Sequence, residues 1–239
     1  MGGFFGNIKH RFFCSGKFIL SALIVFICLW LSQRVQADPY VEHYIDIIRP
    51  GETIQLSYYC EYSKVPKRWT VRIDDTRVAE FAGTGVTVSG KNVFTSIRGV
   101  KRGTTTVTFL DYYSHAIYAE WKIVSANYTR YVGGPKYKGS SLKNYGYYSK
   151  ASISGNKLKV TGRLQVSKDH SGNWRFKRLK NKTFRLTKKT MYIGYEEKGY
   201  STYNKSTIKK MLGRYAKGQG IGTVLYVERG KVILIGELS

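Results

Sequence analysis

Acidic residues are scarce in this chain: 15 Asp and Glu stand against 40 Lys and Arg, for a net charge of +25 over 239 residues. Proline is also rare at 4, methionine at 3 and cysteine at 3. Few prolines with 20 tyrosines exclude a Pro-rich disordered chain and favour strands. Of the three cysteines, Cys14 and Cys28 fall in the N-terminal apolar segment and Cys60 is alone beyond it. No internal disulfide can then staple the remainder, which must stand on an apolar core. Catalytic signatures are missing as well. There is no phosphate-cradling glycine loop and no Gly-x-Ser-x-Gly elbow. His43, His115 and His170 are far from any metal-ligand spacing. Glu196 and Glu197 are adjacent, so a strand would turn them to opposite faces. These absences point to a non-catalytic protein with no cofactor and no metal.

The positive charge is unevenly spread. Residues 1–37 carry four bases and no acid, residues 38–130 twelve bases and ten acids, and residues 131–239 twenty-four bases and five acids. The cationic character therefore belongs to the C-terminal half. A field of that sign selects polyanions: an anionic cell-wall polymer or surface glycan, nucleic acid, or an anionic membrane surface.

Lys9, Arg11 and Lys17 precede the apolar run Phe18 to Leu31, and Val35-Gln36-Ala37 follows it. That is the order of a secretory signal peptide cut after Ala37. The run spans about 21 Å as a helix, short of a hydrocarbon core of about 30 Å. The alternative is an uncleaved anchor through Phe18 to Leu31. Export without disulfides suggests a secreted or cell-surface protein of a Gram-positive-like bacterium.

Residues 38–125 read as a first domain of short strands. Ile54, Leu56, Tyr58 and Cys60 alternate with polar neighbours, as do Trp69, Val71 and Ile73, then Val107 and Phe109, then Ile117, Ala119, Trp121 and Ile123. The period puts Cys60 on an apolar face as a small hydrophobe. Turn chemistry at Pro50-Gly51 and at Gly99 to Gly103 separates the strands, the signature of a β-sandwich. Gly103 is expected to take positive φ.

These residues resemble the bacterial immunoglobulin-like domain, group 2. The likeness is carried by Pro50-Gly51, by Trp69, by Asp75-Thr76-Arg77-Val78-Ala79-Glu80-Phe81, and by Gly99-Val100-Lys101-Arg102-Gly103-Thr104 with Val107-Thr108. The chain departs at Val71 and Arg72, where serines are common in the family, and at Phe81, where valine is commoner. The resemblance implies an extracellular immunoglobulin-like sandwich used as a spacer or adhesion module, with no active site.

Residues 126–150, rich in Gly, Ser, Tyr and Lys, have no clean period and read as a linker. Residues 151–239 form a basic second domain. Leu158, Val160, Leu164 and Val166 alternate with Lys159, Thr161, Arg163 and Gln165; strands are also expected at Trp174 and Phe176, Phe184 and Leu186, and Met191 and Ile193. Ser206 is placed to cap a helix bearing Ile208, Met211, Leu212 and Tyr215, ended by Gly218 and Gly220. A hairpin turns at Arg229-Gly230. Three strands, a helix and a hairpin resemble, by element order, a small OB-like β-barrel. The fold class is thus mainly β: an immunoglobulin-like sandwich followed by an OB-like barrel with one helix.

Between Lys157 and Lys189 stand twelve bases and one acid, Asp169. Arg175, Lys177, Arg178, Lys180, Lys182 and Arg185 are the candidate polyanion-binding cluster. Alternation turns Arg175 and Lys177 away from Trp174 and Phe176, so the two rings are expected in the core. The function expected is attachment to an anionic wall polymer; the alternative is extracellular nucleic-acid binding through the OB-like domain.

Overall fold

The computed structural model describes residues 41–62, 65–136, 145–170, 172–196, 199–215, 217–220 and 222–238. The leader with Phe18 to Leu31, the centre of the expected linker, and Glu197 lie outside the described residues. The protein is mainly β, with one helix among the described residues.

The alternating segments of the first half become two facing sheets. One holds β3 (Trp69–Ile73), β6 (Gly103–Asp111), β7 (Ile117–Ser125) and β1 (Glu42–Ile48) in that order, β1 running parallel to β7. The other is β2 (Thr53–Tyr59), β5 (Asn92–Gly99) and β4 (Ala79–Ser89). The chain crosses between sheets in the manner of an immunoglobulin-like sandwich. The inward residues of both sheets form one core, including Leu56, Tyr58, Cys60, Trp69, Val71, Ile97, Phe109, Trp121 and Ile123. Trp69 meets Tyr118 edge-on with centroids 4.9 Å apart and Tyr58 at 5.8 Å. Cys60 is fully buried, and burial pushes its thiol pKa up.

The scattered motif residues of the sandwich meet at one end. Asp75 makes a corner: its carbonyl accepts the N–H of Val78 at 3.0 Å, and its carboxylate accepts the N–H of Arg77 at 3.0 Å. The Val78 carbonyl then accepts the N–H of Val100 at 2.9 Å. Gly51 donates to the Gly99 carbonyl at 2.7 Å, and a side chain at Gly99 would strike the Arg49 carbonyl. Gly103 does not take the expected positive φ. It is required for space instead, since a Cβ there would lie 2.6 Å from Val78 Cγ2.

The second half contains β8 (Thr129–Pro135), β9 (Tyr147–Ser154), β10 (Lys157–Ser167), β11 (Arg175–Arg185), β12 (Met191–Glu196), β13 (Gly199–Thr202), α1 (Lys205–Tyr215), β14 (Thr223–Glu228) and β15 (Lys231–Glu237). β8 corrects the expected linker over residues 126–150: Thr129–Pro135 is a strand with Tyr131 in the core. β12 is the strand expected at Met191 and Ile193, and β13, paired back on it, is an addition to the expected order. β10 pairs with β9 and β8 along one edge and with β11 along the other. β11 meets β15 in parallel at Arg185 and Lys231, β15 pairs with β14, and β14 with β8, which closes the sheet into a ring. Arg229 (φ 48°) and Gly230 (φ 77°) make the β14–β15 turn.

α1 packs on β9 and β8. Ile208, Met211, Leu212 and Tyr215 are its buried face, at the expected spacing. Its cap is Asn204 rather than Ser206: Asn204 Oδ1 accepts the Thr207 N–H at 2.9 Å and the Ser206 hydroxyl at 2.6 Å.

Sandwich and ring share one sheet. β13 pairs with β1 at Gly199 and His43, and a third apolar cluster spans both halves through Ile45, Ile47, Val124, Tyr128, Ile193, Val224, Tyr226 and Leu234.

Candidate functional site

The six candidate residues, Arg175, Lys177, Arg178, Lys180, Lys182 and Arg185, all lie on β11 and all are exposed. The strand does not gather them onto one face. Arg175, Lys177 and Lys182 stand opposite Val166, Leu164 and Val160, on the core-facing side of the register. They reach solvent because, among the described residues, β11 has no strand partner on its outer edge before Arg185. Arg178 and Arg185 stand opposite Arg163 and Lys157, on the solvent side. Asn181, at φ 52°, separates the two registers, and its N–H is held by Thr161 Oγ1 at 3.1 Å.

β10 is regular, with Leu158, Val160, Gly162 and Leu164 buried. Its other residues turn outward, so Lys157, Lys159 and Arg163 share the solvent face with Arg178 and Arg185 of β11 and Lys150 of β9. Among the described residues that face holds six bases and no acid. Directly opposed like charges each cost roughly 0.2–1 kcal/mol, and Lys157–Arg185 and Arg163–Arg178 are two such pairs. A charged edge that blocks strand addition accounts for Arg175, Lys177 and Lys182. It does not account for Lys150, Lys157, Lys159, Arg163 and Arg178, which stand on the face. Those on β10 were visible in the sequence only as solvent-side members of an alternating run, and Lys150 fell in the expected linker; the pairing register brings them together.

Trp174 and Phe176 are not in the core as expected. They are 36% and 39% exposed. Each has an arginine over its ring: Arg130 lies 4.9 Å from Trp174 and Arg163 lies 3.9 Å from Phe176. One face of each ring is therefore already used by a cation–π contact.

A second polar cluster lies where the halves meet. Glu52 of the sandwich accepts the His170 backbone N–H at 2.7 Å and faces His170 Nδ1 at 3.1 Å. Tyr128 donates its hydroxyl to Glu52 at 3.3 Å, and the Arg49 guanidinium donates to the Tyr128 carbonyl at 2.5 Å. Burial alone would raise the Glu52 pKa, but the hydrogen bonds from the His170 side chain, its backbone and the Arg49 backbone hold it at about 2. Nearby, Asp46, Arg130, His170, Tyr195 and Tyr226 surround a cavity of ≈ 220 Å³. Burial pushes the Asp46 pKa up to about 6, against the opposing pull of His170 and Arg130. A carboxyl with that pKa is a common catalytic feature. Here the cavity is smaller than the ~300 Å³ at which ligand pockets begin, and Glu52 is occupied by donors from both halves. The cluster fastens the halves together.

No family model matches the chain, and no curated protein matches it in sequence. Among solved structures, the chain is similar to domains 5-6 of the S-layer protein SbsC, at 15% identity over 85% of this chain and 94% of that one, with a TM-score of 0.26. A structure of SbsC domains 4-9 gives 14% identity over 82% and 30% of the two chains, with a TM-score of 0.28. FdeC, an Escherichia coli adhesin, gives 12% identity over 81% and 62%, with a TM-score of 0.26. Likeness at these TM-scores carries no argument about this chain, whose fold rests on its own strand order and core.

Proposed function

We propose that this chain is a non-catalytic, exported cell-envelope module that holds an anionic wall polymer on the outer face of β9, β10 and β11. The carrying observation is the gathering of bases on that face, with Arg163 opposite Arg178 and Lys157 opposite Arg185. Cations opposed across a ladder repel, and a bound polyanion offsets that repulsion. The sandwich serves as spacer or adhesive element. The meeting of Pro50-Gly51, Asp75 to Val78 and Gly99 to Gly103 at one end supports its place in the bacterial immunoglobulin-like group. The OB-like reading of the second half is supported by a ring closed in parallel between β11 and β15, with the helix falling between those strands in sequence.

The test is binding of the full-length chain to purified polyglycerol phosphate across a salt series. Affinity should fall steeply as salt rises, and Arg163→Ser with Arg178→Ser should weaken binding and flatten the salt slope by about 2. Salt-insensitive binding, or the same affinity in the double variant, would refute the assignment.

The second reading is single-stranded nucleic acid, favoured by the exposed Trp174 and Phe176 beside the basic face. The arginines already stacked on both rings weigh against it. Single-stranded DNA of matched charge, run in the same titration, separates the two: preference for DNA, lost in Phe176→Ala, would establish the second reading.

A further inference from the structure

A larger cleft opens between sandwich and ring, beyond the Arg185 end of β11, where Arg185 pairs with Lys231. It encloses ≈ 860 Å³ and takes its walls from both halves. That volume falls within the range of about 300–1,000 Å³ typical of ligand sites. Two features of the lining point to a ligand class.

The first is charge. Arg102, Lys122, Lys188, Lys189 and Lys231 line the cleft, with Glu228 as the one acid among the described residues there. Glu228 is already engaged: it bridges Arg102 at 2.8 Å and accepts the Asn127 N–H at 2.8 Å. Among the described residues, none of the four lysines pairs with a carboxylate. Four uncompensated cations around one concavity raise the local concentration of anions.

The second is the mixture of surfaces. Val124, Ile193 and Val232 are buried apolar residues on the floor, and Tyr192, Tyr200 and Tyr203 are half-buried around it. Tyrosine rings with an apolar floor suit the C–H faces of sugar rings, and their hydroxyls suit sugar hydroxyls.

We propose that this cleft binds a short anionic saccharide, its sugar rings against the tyrosines and its phosphate or carboxylate groups on the lysine rim. Lysine is a point-charge binder that accepts either anion, so the shared chemistry is a negatively charged sugar rather than one group. The site needs both halves: Arg102, Lys122 and Val124 come from the sandwich, and the remaining lysines and the tyrosines from the second half. That gives the fusion of the two a reason beyond spacing. The cleft shares no residue with the β10–β11 face, although Lys231 pairs with Arg185 at its margin; Arg163 and Arg178 lie off the cleft, so variants there separate the two assignments.

The experiment is calorimetric titration of the full-length chain with four probes: a phosphorylated oligosaccharide, a uronic-acid oligosaccharide of the same length, the uncharged oligosaccharide, and inorganic phosphate. Saturable binding of one or both charged oligosaccharides, roughly tenfold or more tighter than the uncharged one and than phosphate, is expected. The stronger of the two names the anion. Lys188→Ser with Lys231→Ser should lower that affinity by roughly tenfold or more, whereas Arg163→Ser with Arg178→Ser should leave it within about twofold. Thr202→Trp, at an exposed position on the cleft wall, should block binding without touching the lysines, and an unchanged thermal transition reports that it folds. Equal binding of charged and uncharged sugars, phosphate as tight as the sugar phosphate, no saturation by either charged probe, or wild-type affinity in both cleft variants would overturn the assignment.

Discussion

Replacing Asp46 by asparagine should stabilise this protein at neutral pH and leave its stability in mild acid unchanged. Asp46 lies on β1 between Ile45 and Ile47, both in the apolar cluster that joins the halves, and it faces the small cavity with Arg130 and His170. Burial pushes its pKa from 3.8 to about 6 although both neighbours act in the opposite direction. The folded state then keeps the proton over a range of pH in which the unfolded chain has lost it. Stability contributed by this group is intact below about pH 4, declines as pH rises from 4 to 6, and stays reduced above 6. A two-unit shift corresponds to about 3 kcal/mol. The carboxyl keeps partial access to water through the cavity, and screening there reduces the expected penalty to about 1–2 kcal/mol.

Asparagine has the same shape and no charge at any pH. Arg130 loses a carboxylate but keeps its place over Trp174 and Tyr226, 4.9 and 5.8 Å from their centroids. Urea unfolding of both proteins should give matching free energies near about pH 4 and a difference of about 1–2 kcal/mol in favour of Asp46→Asn near about pH 7.5. A difference that does not change with pH would refute the reasoning. So would a variant clearly less stable at neutral pH, since attraction to Arg130 would then outweigh desolvation.

Three further expectations concern the fold. Glu52 behaves oppositely to Asp46: its pKa is lowered from 4.5 to about 2, so its contribution is present above about pH 4.5 and disappears as pH falls toward 2. Glu52→Gln should therefore cost about 1–3 kcal/mol at neutral pH and nothing near pH 2, read by denaturant unfolding across pH. Trp69→Ala should cost roughly 3–5 kcal/mol, because the indole is packed between Tyr58 and Tyr118; an unchanged melting temperature would contradict that packing. Gly103→Ala should cost about 1–3 kcal/mol through overlap with Val78, and Val78→Ala in the same chain should recover part of the loss introduced by the new methyl.

The sandwich was legible because its signals are local. Period-two runs at Leu56 to Cys60, Trp69 to Ile73 and Val107 to Phe109 each name a buried face, and glycine and aspartate mark the corners. Helix α1 was legible for the same reason, though its cap shifted to Asn204, whose side chain reaches the N–H of Thr207. β8 was hidden because Thr129–Pro135 contains Gly133 and Gly134, which break an apolar pattern. Their lack of side chains serves packing: a Cβ at Gly133 would lie 2.7 Å from a Leu164 methyl, and one at Gly134 would meet the Tyr145 hydroxyl. Glycine read as flexibility was close contact. The candidate basic cluster was half legible. Composition located β11, but which bases share a face depends on the kink at Asn181 and on the register with β10, and both are set by pairing. Trp174 and Phe176 were misplaced because alternation says which residues share a side and not which side is covered.

The junction changes what the uneven charge means. A near-neutral sandwich joined by a flexible linker to a cationic domain would let the two orient independently. Here β1 and β7 contribute Ile45, Ile47 and Val124 to an apolar cluster completed by Val224, Tyr226 and Leu234 of the second half. Glu52–His170 and Arg102–Glu228 fasten its margins with two of the chain's few acids. Acids are scarce in this protein, and of the two that stand at the seam Glu228 is one of the five in residues 131–239, while Glu52 comes from the sandwich. The carboxylates hold the halves in fixed register, so a polymer bound on β9 to β11 as proposed would also be held at a set orientation to the sandwich. Cutting the Arg102–Glu228 bridge with Glu228→Gln should therefore loosen the seam, seen as faster amide exchange at Asn127 and along β14, while binding of polyglycerol phosphate to the outer face is retained. Loss of that binding with the fold intact would show that face and seam are not separate devices.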